Sequence, residues 1–264
     1  MNRWIVKDGV RLWYEEQGAA EGDAVVFVHG FACDHSQFTA QMDHLSPHRR
    51  VVAVDLRGHG RSDAPTQPYT MEGYADDVAW MCGAIGIERA TIVGHSMGGI
   101  VASLVASRHP DLVVGLVVLD SAIVPIPELT AGLVGWADSL RGDDYLDSLR
   151  QVNDVYFEPG DDPRVKADVQ GSMYAPQHVL VSSAEHMADF VISSANGEPV
   201  ARPDTWRCPV LHVSAAYQMN DVARFRGLCP QLIVAQTAGA GHYHHLLVPD
   251  QINAMLSRFL QLAH

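Results

Sequence analysis

The sequence predicts a single α/β domain in which a mostly parallel sheet of eight strands has helices on both faces. Three observations predict this fold class. The chain has 264 residues, an ordinary length for one large α/β domain, and 47% of them are hydrophobic. Short β-branched runs alternate with longer stretches of helical periodicity. The inner runs are continuously apolar rather than alternating, which is typical of strands buried on both faces.

The first two predicted strands flank Asp8-Gly9, a dipeptide that favours a tight hairpin turn. The eight predicted strands cover residues 3–6, 10–15, 24–28, 51–54, 91–93, 113–119, 210–213 and 232–235. Helical patterns follow at residues 71–85, 97–108 and 250–262. The last helix has Pro249-Asp250 as its start signal and one apolar stripe, formed by Ile252, Met255, Leu256, Phe259 and Leu260.

Residues 121–206 interrupt this alternation with broken helical pieces separated by proline and glycine. A segment of this length is too long for a loop in a compact domain, so we expect a helical cap over the sheet. The predicted division is a core of residues 1–120 and 207–264 and a cap of residues 121–206, within one domain overall. The cap has fourteen acidic and five basic residues and therefore contributes −9 of the net charge of −13. Such a cap attracts anionic substrates poorly.

The overall charge and the cysteine pattern narrow the partners and the compartment. A net charge of −13 argues against nucleic acid and anionic membranes as partners. The cysteines have no zinc or C-x-x-C spacing, so we expect free thiols in a reducing compartment; they are Cys33, Cys82, Cys208 and Cys229. We see neither a signal peptide nor a membrane span, and no metal or cofactor motif. The expected location is cytoplasmic and the expected partner is a small-molecule substrate.

The strongest chemical signal is Gly94-His95-Ser96-Met97-Gly98. This G-x-S-x-G stretch lies directly between a predicted strand and a predicted helix, the context in which the motif places a serine on a sharp, exposed turn. Gly94 and Gly98 are expected because side chains at these positions would collide across the turn. Ser96 is therefore the predicted nucleophile.

A serine nucleophile needs a base, and His242 has the expected position among fourteen histidines. It follows the last predicted strand and precedes the final helix, so the chain order is nucleophile and then histidine. His244 and His245 lie nearer the helix, and we expect them at the surface or behind the site.

Two main-chain N–H groups are expected to stabilise a developing oxyanion. One belongs to Met97, directly after the nucleophile. The other belongs to Phe31, in the loop after the third predicted strand, where Gly30 permits close approach of the backbone. His29 is expected to brace this loop.

Together, His29-Gly30, the segment Asp55-Leu56-Arg57-Gly58-His59-Gly60-Arg61-Ser62-Asp63, the turn at Ser96 and the loop at His242 resemble the α/β-hydrolase superfamily. The resemblance covers nearly the whole chain outside the cap. It implies the α/β-hydrolase fold and hydrolysis of an ester, lactone, amide or related bond without a cofactor. It does not imply one substrate.

The chain departs from that superfamily at the catalytic acid. Most relatives carry the acid a few residues after the strand that follows the cap, where this chain has Tyr217 and Gln218. Asp221 comes several residues later. Asp120 closes the strand after the nucleophile helix, and some members, such as zearalenone-type lactonases, carry the acid there. We therefore expect Asp120 to be the acid, with Asp221 as the alternative.

These observations lead to a serine hydrolase that cleaves a carboxylic ester or lactone of a small, neutral, fairly apolar molecule. Two alternatives stay open. The oxyanion loop resembles that of cofactor-free dioxygenases, although Met97 and Cys33 replace two of their histidines. A non-catalytic ligand receptor on a hydrolase scaffold is the other. The natural substrate, the preference for ester or lactone, the pocket residues and the oligomeric state are not predicted.

Overall fold

The structure, a computed structural model, describes residues 2–18 and 22–263. Its strands are β1 (Asn2–Lys7), β2 (Val10–Gln17), β3 (Ala24–Val28), β4 (Val51–Asp55), β5 (Ala90–His95), β6 (Val113–Leu119), β7 (Val210–Ser214) and β8 (Leu232–Gln236). In the described chain they form an eight-stranded sheet of order β1-β2-β4-β3-β5-β6-β7-β8. β1 and β2 form the predicted hairpin, β2 pairs antiparallel with β4, and the other neighbours are parallel. The predicted fold class is confirmed.

The helices are α1 (Thr39–Leu45), α2 (Met71–Ala84), α3 (Met97–Arg108), α4 (Leu133–Ser139), α5 (Tyr145–Asp154), α6 (Pro163–Ser172), α7 (Gln177–Asn196), α8 (Val222–Leu228), α9 (His244–Leu247) and α10 (Pro249–Leu262). Short 3₁₀ helices lie at His35–Phe38, Pro127–Thr130 and Pro203–Thr205. The three predicted helices correspond to α2, α3 and α10, with bounds that differ by at most one residue. Of the helices described, none combines the length and the apolarity needed to cross a membrane.

The sheet is covered on both faces because alternate residues of each inner strand point to opposite sides. In β3, Val26 and Val28 belong to the core that includes residues of α2 and α3. Val25 and Phe27 belong to a second core that includes residues of α1 and α10. All five residues of β3 are buried, which explains why its sequence is continuously apolar.

Between β6 and β7 the described chain has no strand, only α4 to α7 and two of the 3₁₀ helices. α7 contacts the core through hydrogen bonds: Tyr74 Oη lies 2.7 Å from Ser183 Oγ, and the Tyr69 N–H donates to Ser182 Oγ at 2.9 Å. We refer to residues 121–206 as the cap, and their status as a separate unit stays a prediction.

Candidate active site

Ser96 occupies the turn between β5 and α3 in a positive-φ conformation, with φ 53° and ψ −121°. An added Cβ at Gly94 would lie 2.1 Å from the Gly98 carbonyl oxygen, and one at Gly98 would lie 2.1 Å from the Val28 oxygen. Only glycine fits at either position. The turn therefore holds Ser96 in a strained geometry that a non-glycine residue rarely adopts.

The loop after β3 lies against the nucleophile. An added Cβ at Gly30 would lie 3.3 Å from Ser96 Cβ, so the backbone of this loop passes close to the serine. Within the described residues, neither the Phe31 N–H nor the Met97 N–H donates a hydrogen bond to another group. Both are free to meet an oxyanion. His29 braces the loop, because its Nδ1–H donates to the Gly30 oxygen at 2.8 Å and its Nε2 accepts from the Leu56 N–H at 3.0 Å.

His242 and Asp120 form a buried hydrogen-bonded pair. His242 Nδ1 lies 2.7 Å from Asp120 Oδ2, and the two side chains are 8% and 6% exposed. The other carboxylate oxygen, Oδ1, accepts the Ala215 N–H at 2.8 Å. Asp120 itself has φ 42° at the end of β6, which turns its carboxylate toward the loop after β8.

Burial would raise the pKa of Asp120, but the His242 hydrogen bond and the nearby imidazoles hold this pKa below its ordinary value. Asp120 is therefore ionised, and His242 Nδ1–H must be the donor. This tautomer leaves Nε2, on the opposite side of the ring, as the basic nitrogen.

Asp221 does not reach this pair. It is exposed and caps α8, where its carboxylate accepts the Arg224 N–H at 3.0 Å. The structure thus brings Asp120, and not Asp221, to His242.

Of the two positions expected for His244 and His245, at the surface or behind the site, the structure shows the second, since both are fully buried. They begin α9 directly behind the site, and the His245 ring lies 4.2 Å from that of His95. Burial lowers the pKa of His244 to about 4 and that of His245 well below its ordinary value. Both are neutral at pH 7, and neither lines the two cavities at Ser96.

Three further residues hold His242, and the sequence did not identify them. His95 Nε2–H donates to the His242 carbonyl oxygen at 3.0 Å. The Tyr156 carbonyl oxygen accepts the His242 N–H at 2.8 Å, and the Tyr156 ring stacks on the imidazole at 4.6 Å. Asp161 accepts the Gly241 N–H at 3.2 Å. His95 lies inside the serine motif and could have been suspected, whereas Tyr156 and Asp161 lie in the cap and carry no sequence signal.

Two cavities meet at Ser96 and His242, and Tyr156 and Met187 also line both. The loop-side cavity, of about 40 Å³, lies beside the Gly30-Phe31 loop; its other lining residues include Trp136, Leu149, Val152, Asn153, Met173 and Tyr243. The strand-side cavity, of about 120 Å³, lies beside the end of β6; its other lining residues include Met97, Ile100, Ala122, Leu129, Leu133 and Val191. The site can therefore hold a substrate with a mainly apolar group on each side of the serine.

One group of side chains in the described part of the chain has the spacing to hold a metal ion, namely Asp34, His35 and Asp55. The Asp55 carboxylate already accepts three hydrogen bonds, from the N–H and Nδ1–H of His35 and from the Arg61 N–H. None of the three residues lines either cavity. We therefore interpret the group as a structural ion pair between His35 and Asp55 and not as a metal site.

Comparison with known proteins identifies the family and the fold. A family model described as the alpha/beta hydrolase fold matches residues 23–156. A bifunctional esterase/perhydrolase of Acinetobacter calcoaceticus is 39% identical over 121 residues, which are 46% of this chain and 44% of that relative. The match thus spans less than half the length of the relative.

Two solved structures are similar over the whole chain. A thermophilic esterase of Thermogutta terrifontis has a TM-score of 0.85 at 24% identity. The alignment covers 100% of this chain and 99% of the esterase chain. The enol-lactonase of Burkholderia xenovorans has a TM-score of 0.84 at 23% identity. The alignment covers 98% of this chain and 100% of the enol-lactonase chain. At these identities the similarity establishes the fold alone.

Proposed function

The chain belongs to the α/β hydrolase family, and on this premise we propose that it cleaves a carboxylic ester or lactone through an acyl-enzyme on Ser96. One observation carries the proposal. Ser96 and His242 line the same two cavities, and Asp120 holds His242 in the tautomer whose Nε2 can take a proton. This is the arrangement that a serine needs to become nucleophilic near neutral pH.

In the acylation step, His242 Nε2 takes the Ser96 hydroxyl proton while Oγ attacks the carbonyl carbon of the substrate. The N–H groups of Phe31 and Met97 stabilise the negative oxygen of the tetrahedral intermediate. The ester C–O bond then breaks, and His242 gives its proton to the departing alkoxide. The alcohol leaves, or stays attached as the hydroxyl end of an opened lactone.

In the deacylation step, His242 Nε2 takes a proton from water, and the resulting hydroxide attacks the acyl-enzyme. Collapse of the second tetrahedral intermediate breaks the bond to Ser96 Oγ, which recovers its proton from His242. The products are the free acid and the original enzyme, so the cycle needs no redox partner.

The substrate is proposed to be small, neutral and mainly apolar. The walls of both cavities are dominated by methionine, leucine, valine and aromatic side chains. The cap supplies −9 of the net charge of −13, which disfavours anionic substrates. The relatives named above as an esterase and an enol-lactonase agree with this bond type.

A fluorophosphonate probe tests the nucleophile, because it reacts only with an activated serine. We expect one labelled residue, Ser96, on peptide mass spectrometry, and no label in Ser96→Ala. A panel of 4-nitrophenyl esters and γ- and δ-lactones tests turnover. Labelling of another residue, or full activity of Ser96→Ala, would contradict the proposal. A receptor without catalysis would give neither a burst of nitrophenol nor turnover.

A further inference from the structure

Asn153, at the end of α5, lines the loop-side cavity and is 1% exposed. Its Nδ2–H donates to the Tyr243 hydroxyl, whereas its Oδ1 is buried without a hydrogen-bond partner. The Tyr243 proton is directed to Met173 Sδ, at 3.9 Å, and so does not serve that oxygen. A residue that lines the cavity thus has a buried carbonyl acceptor without a hydrogen-bond partner.

The surroundings make this open acceptor unusual. Leu149, Val152 and Asn153 lie on one face of α5, Tyr156 follows in the turn after this helix, and all four line the cavity. Asn153 is the amide on this otherwise apolar and aromatic face. Burying an amide oxygen without a donor destabilises the protein, so a donor from a bound molecule would remove that cost.

His95, which also lines this cavity, has a second acceptor without a partner. His95 Nε2–H donates to the His242 carbonyl oxygen, which leaves His95 Nδ1 with a lone pair, and no hydrogen bond to Nδ1 is formed. Burial lowers the pKa of His95 well below its ordinary value, so the ring is neutral and Nδ1 can only accept. Trp136 also lines this cavity, and its Nε1–H is a buried donor without a hydrogen-bond partner.

We propose that the loop-side cavity binds a substrate group that carries a hydrogen-bond donor, a secondary amide in particular, whose N–H is accepted by Asn153 Oδ1. The amide carbonyl can accept from Trp136 Nε1–H. Met173 and Met187 adapt the cavity to the group, because unbranched thioether side chains change conformation easily. This inference rests on the proposed ester or lactone hydrolysis and adds to it an N-acylamino substituent close to the scissile bond.

Substrate pairs that differ only by N–H against CH₂ test the inference. Methyl N-acetylglycinate and methyl 4-oxopentanoate place the difference on the acyl side, and 2-acetamidoethyl acetate and 4-oxopentyl acetate place it on the alcohol side. Acid release at constant pH gives kcat/KM for each. In one pair we expect the N–H member to be favoured about tenfold, the effect of one well-formed hydrogen bond. Equal values in both pairs would overturn the inference.

Two variants assign the preference to Asn153. Asn153→Leu removes the acceptor at similar volume, and we expect the preference to fall to within twofold of unity. Asn153→Asp keeps an oxygen at the same place and should retain a preference of several-fold. Retention of the tenfold preference in Asn153→Leu would overturn the assignment. Fluorophosphonate labelling of Ser96 verifies that each variant has a folded site. If the wild-type protein hydrolyses none of the four esters and takes no label, the proposed function itself has failed.

Discussion

His242 is held at its ring and at its backbone by groups from three parts of the chain. Asp120 binds Nδ1 from the end of β6, His95 binds the carbonyl oxygen from the serine turn, and Tyr156 binds the N–H and covers the ring from the cap. Each contact restricts a different degree of freedom of the imidazole. The orientation of the His242 imidazole therefore depends on the core and the cap together.

Asp120→Asn is expected to fold normally and to lose most of its activity. An amide at this place cannot stabilise the imidazolium, and its N–H₂ group favours the wrong tautomer of His242. We expect kcat to fall roughly 10³- to 10⁴-fold while KM changes little, the size of effect known for such an acid. Steady-state kinetics and the rate of fluorophosphonate labelling measure it. Asp221→Asn is the matched control and should have wild-type kcat, because asparagine also caps helices. Similar losses in both variants would contradict the role of Asp120.

Substitution of each histidine in turn distinguishes the role of His242 from those of His244 and His245. His242→Ala should lose about three or more decades in kcat, because no other group can take the Ser96 proton. His244→Gln and His245→Gln should lower the free energy of unfolding, since both side chains are buried, and should keep kcat within about tenfold of wild type. Urea unfolding and kcat are to be measured on all three. A loss of three decades in either glutamine variant would show that the wrong histidine had been chosen.

The turn of residues 155–161 in the cap is hydrogen-bonded to the loop that carries His242. Asp161 accepts the Gly241 N–H at 3.2 Å and the Glu158 N–H at 2.7 Å, and an added Cβ at Gly241 would lie 2.5 Å from the Tyr156 oxygen. The two segments therefore lie too close together for any side chain at position 241. Movement of this turn would be transmitted directly to His242.

Asp161→Asn tests this connection. We expect kcat to fall about three- to tenfold, because the loop loses a charged acceptor that fixes it next to His242. KM for a small ester should change less than kcat, since Asp161 lines neither cavity. Asp168→Asn, an exposed cap variant with the same change of charge, is the control and should match wild type. A proportional rise in KM with unchanged kcat would contradict a positioning role.

The sequence predicted the strands and the core helices because both are local patterns. Continuous apolar runs identified strands buried on two faces, and the stripe in α10 identified a helix covered on one. The meeting of Asp120 and His242 was also predictable, because parallel strands end at the same edge of the sheet. The contact between the two segments around Tyr156 and Gly241 was not, since it joins parts of the chain that share no periodicity.

The individual cap helices were also not predicted, for a physical reason. Proline and glycine divide the cap into short helices, and α4 and α6 each bury a single residue, Ala137 and Val169. Helices of this kind depend on tertiary packing more than on a strong amphipathic pattern. For His244 and His245 the sequence left both a surface position and a position behind the site open, because burial of two consecutive polar residues contradicts the usual expectation for polar side chains.

At the scale of the whole molecule, buried histidines relate stability to pH. Six histidines that are at most 1% exposed have a lowered pKa because burial disfavours the charged imidazolium; they are His29, His59, His95, His212, His244 and His245. In the unfolded chain the same imidazoles take up protons near pH 6.5. The unfolded state therefore binds more protons than the folded state as soon as the pH falls below this value.

The direction of this pH dependence follows from proton linkage. Where the unfolded state binds more protons than the folded state, the free energy of unfolding rises with pH. The stability associated with these histidines is thus fully present above about pH 7 and is lost as the pH falls through 6.5 toward the folded pKa values. For His244 the folded pKa is about 4, so this residue alone accounts for a loss on the order of 3 kcal/mol at 1.36 kcal/mol per pKa unit. Carboxylates with a lowered pKa, such as Asp120, reduce the free energy of unfolding only when the pH falls below their ordinary pKa of 3.8.

Urea unfolding between pH 8 and pH 4.5 measures this dependence. We expect the wild-type free energy of unfolding to fall steeply below pH 6.5, although protonation also lowers the self-repulsion of a chain with a net charge of −13. His244→Gln should be less stable at pH 8, because the buried ring is lost, but its slope between pH 6.5 and pH 4.5 should be shallower than that of wild type. His48→Gln, at an exposed position, should keep the wild-type slope, because that imidazole meets water in both states. A slope unchanged in His244→Gln would mean that His244 takes up its proton without unfolding, and that the pH dependence resides elsewhere.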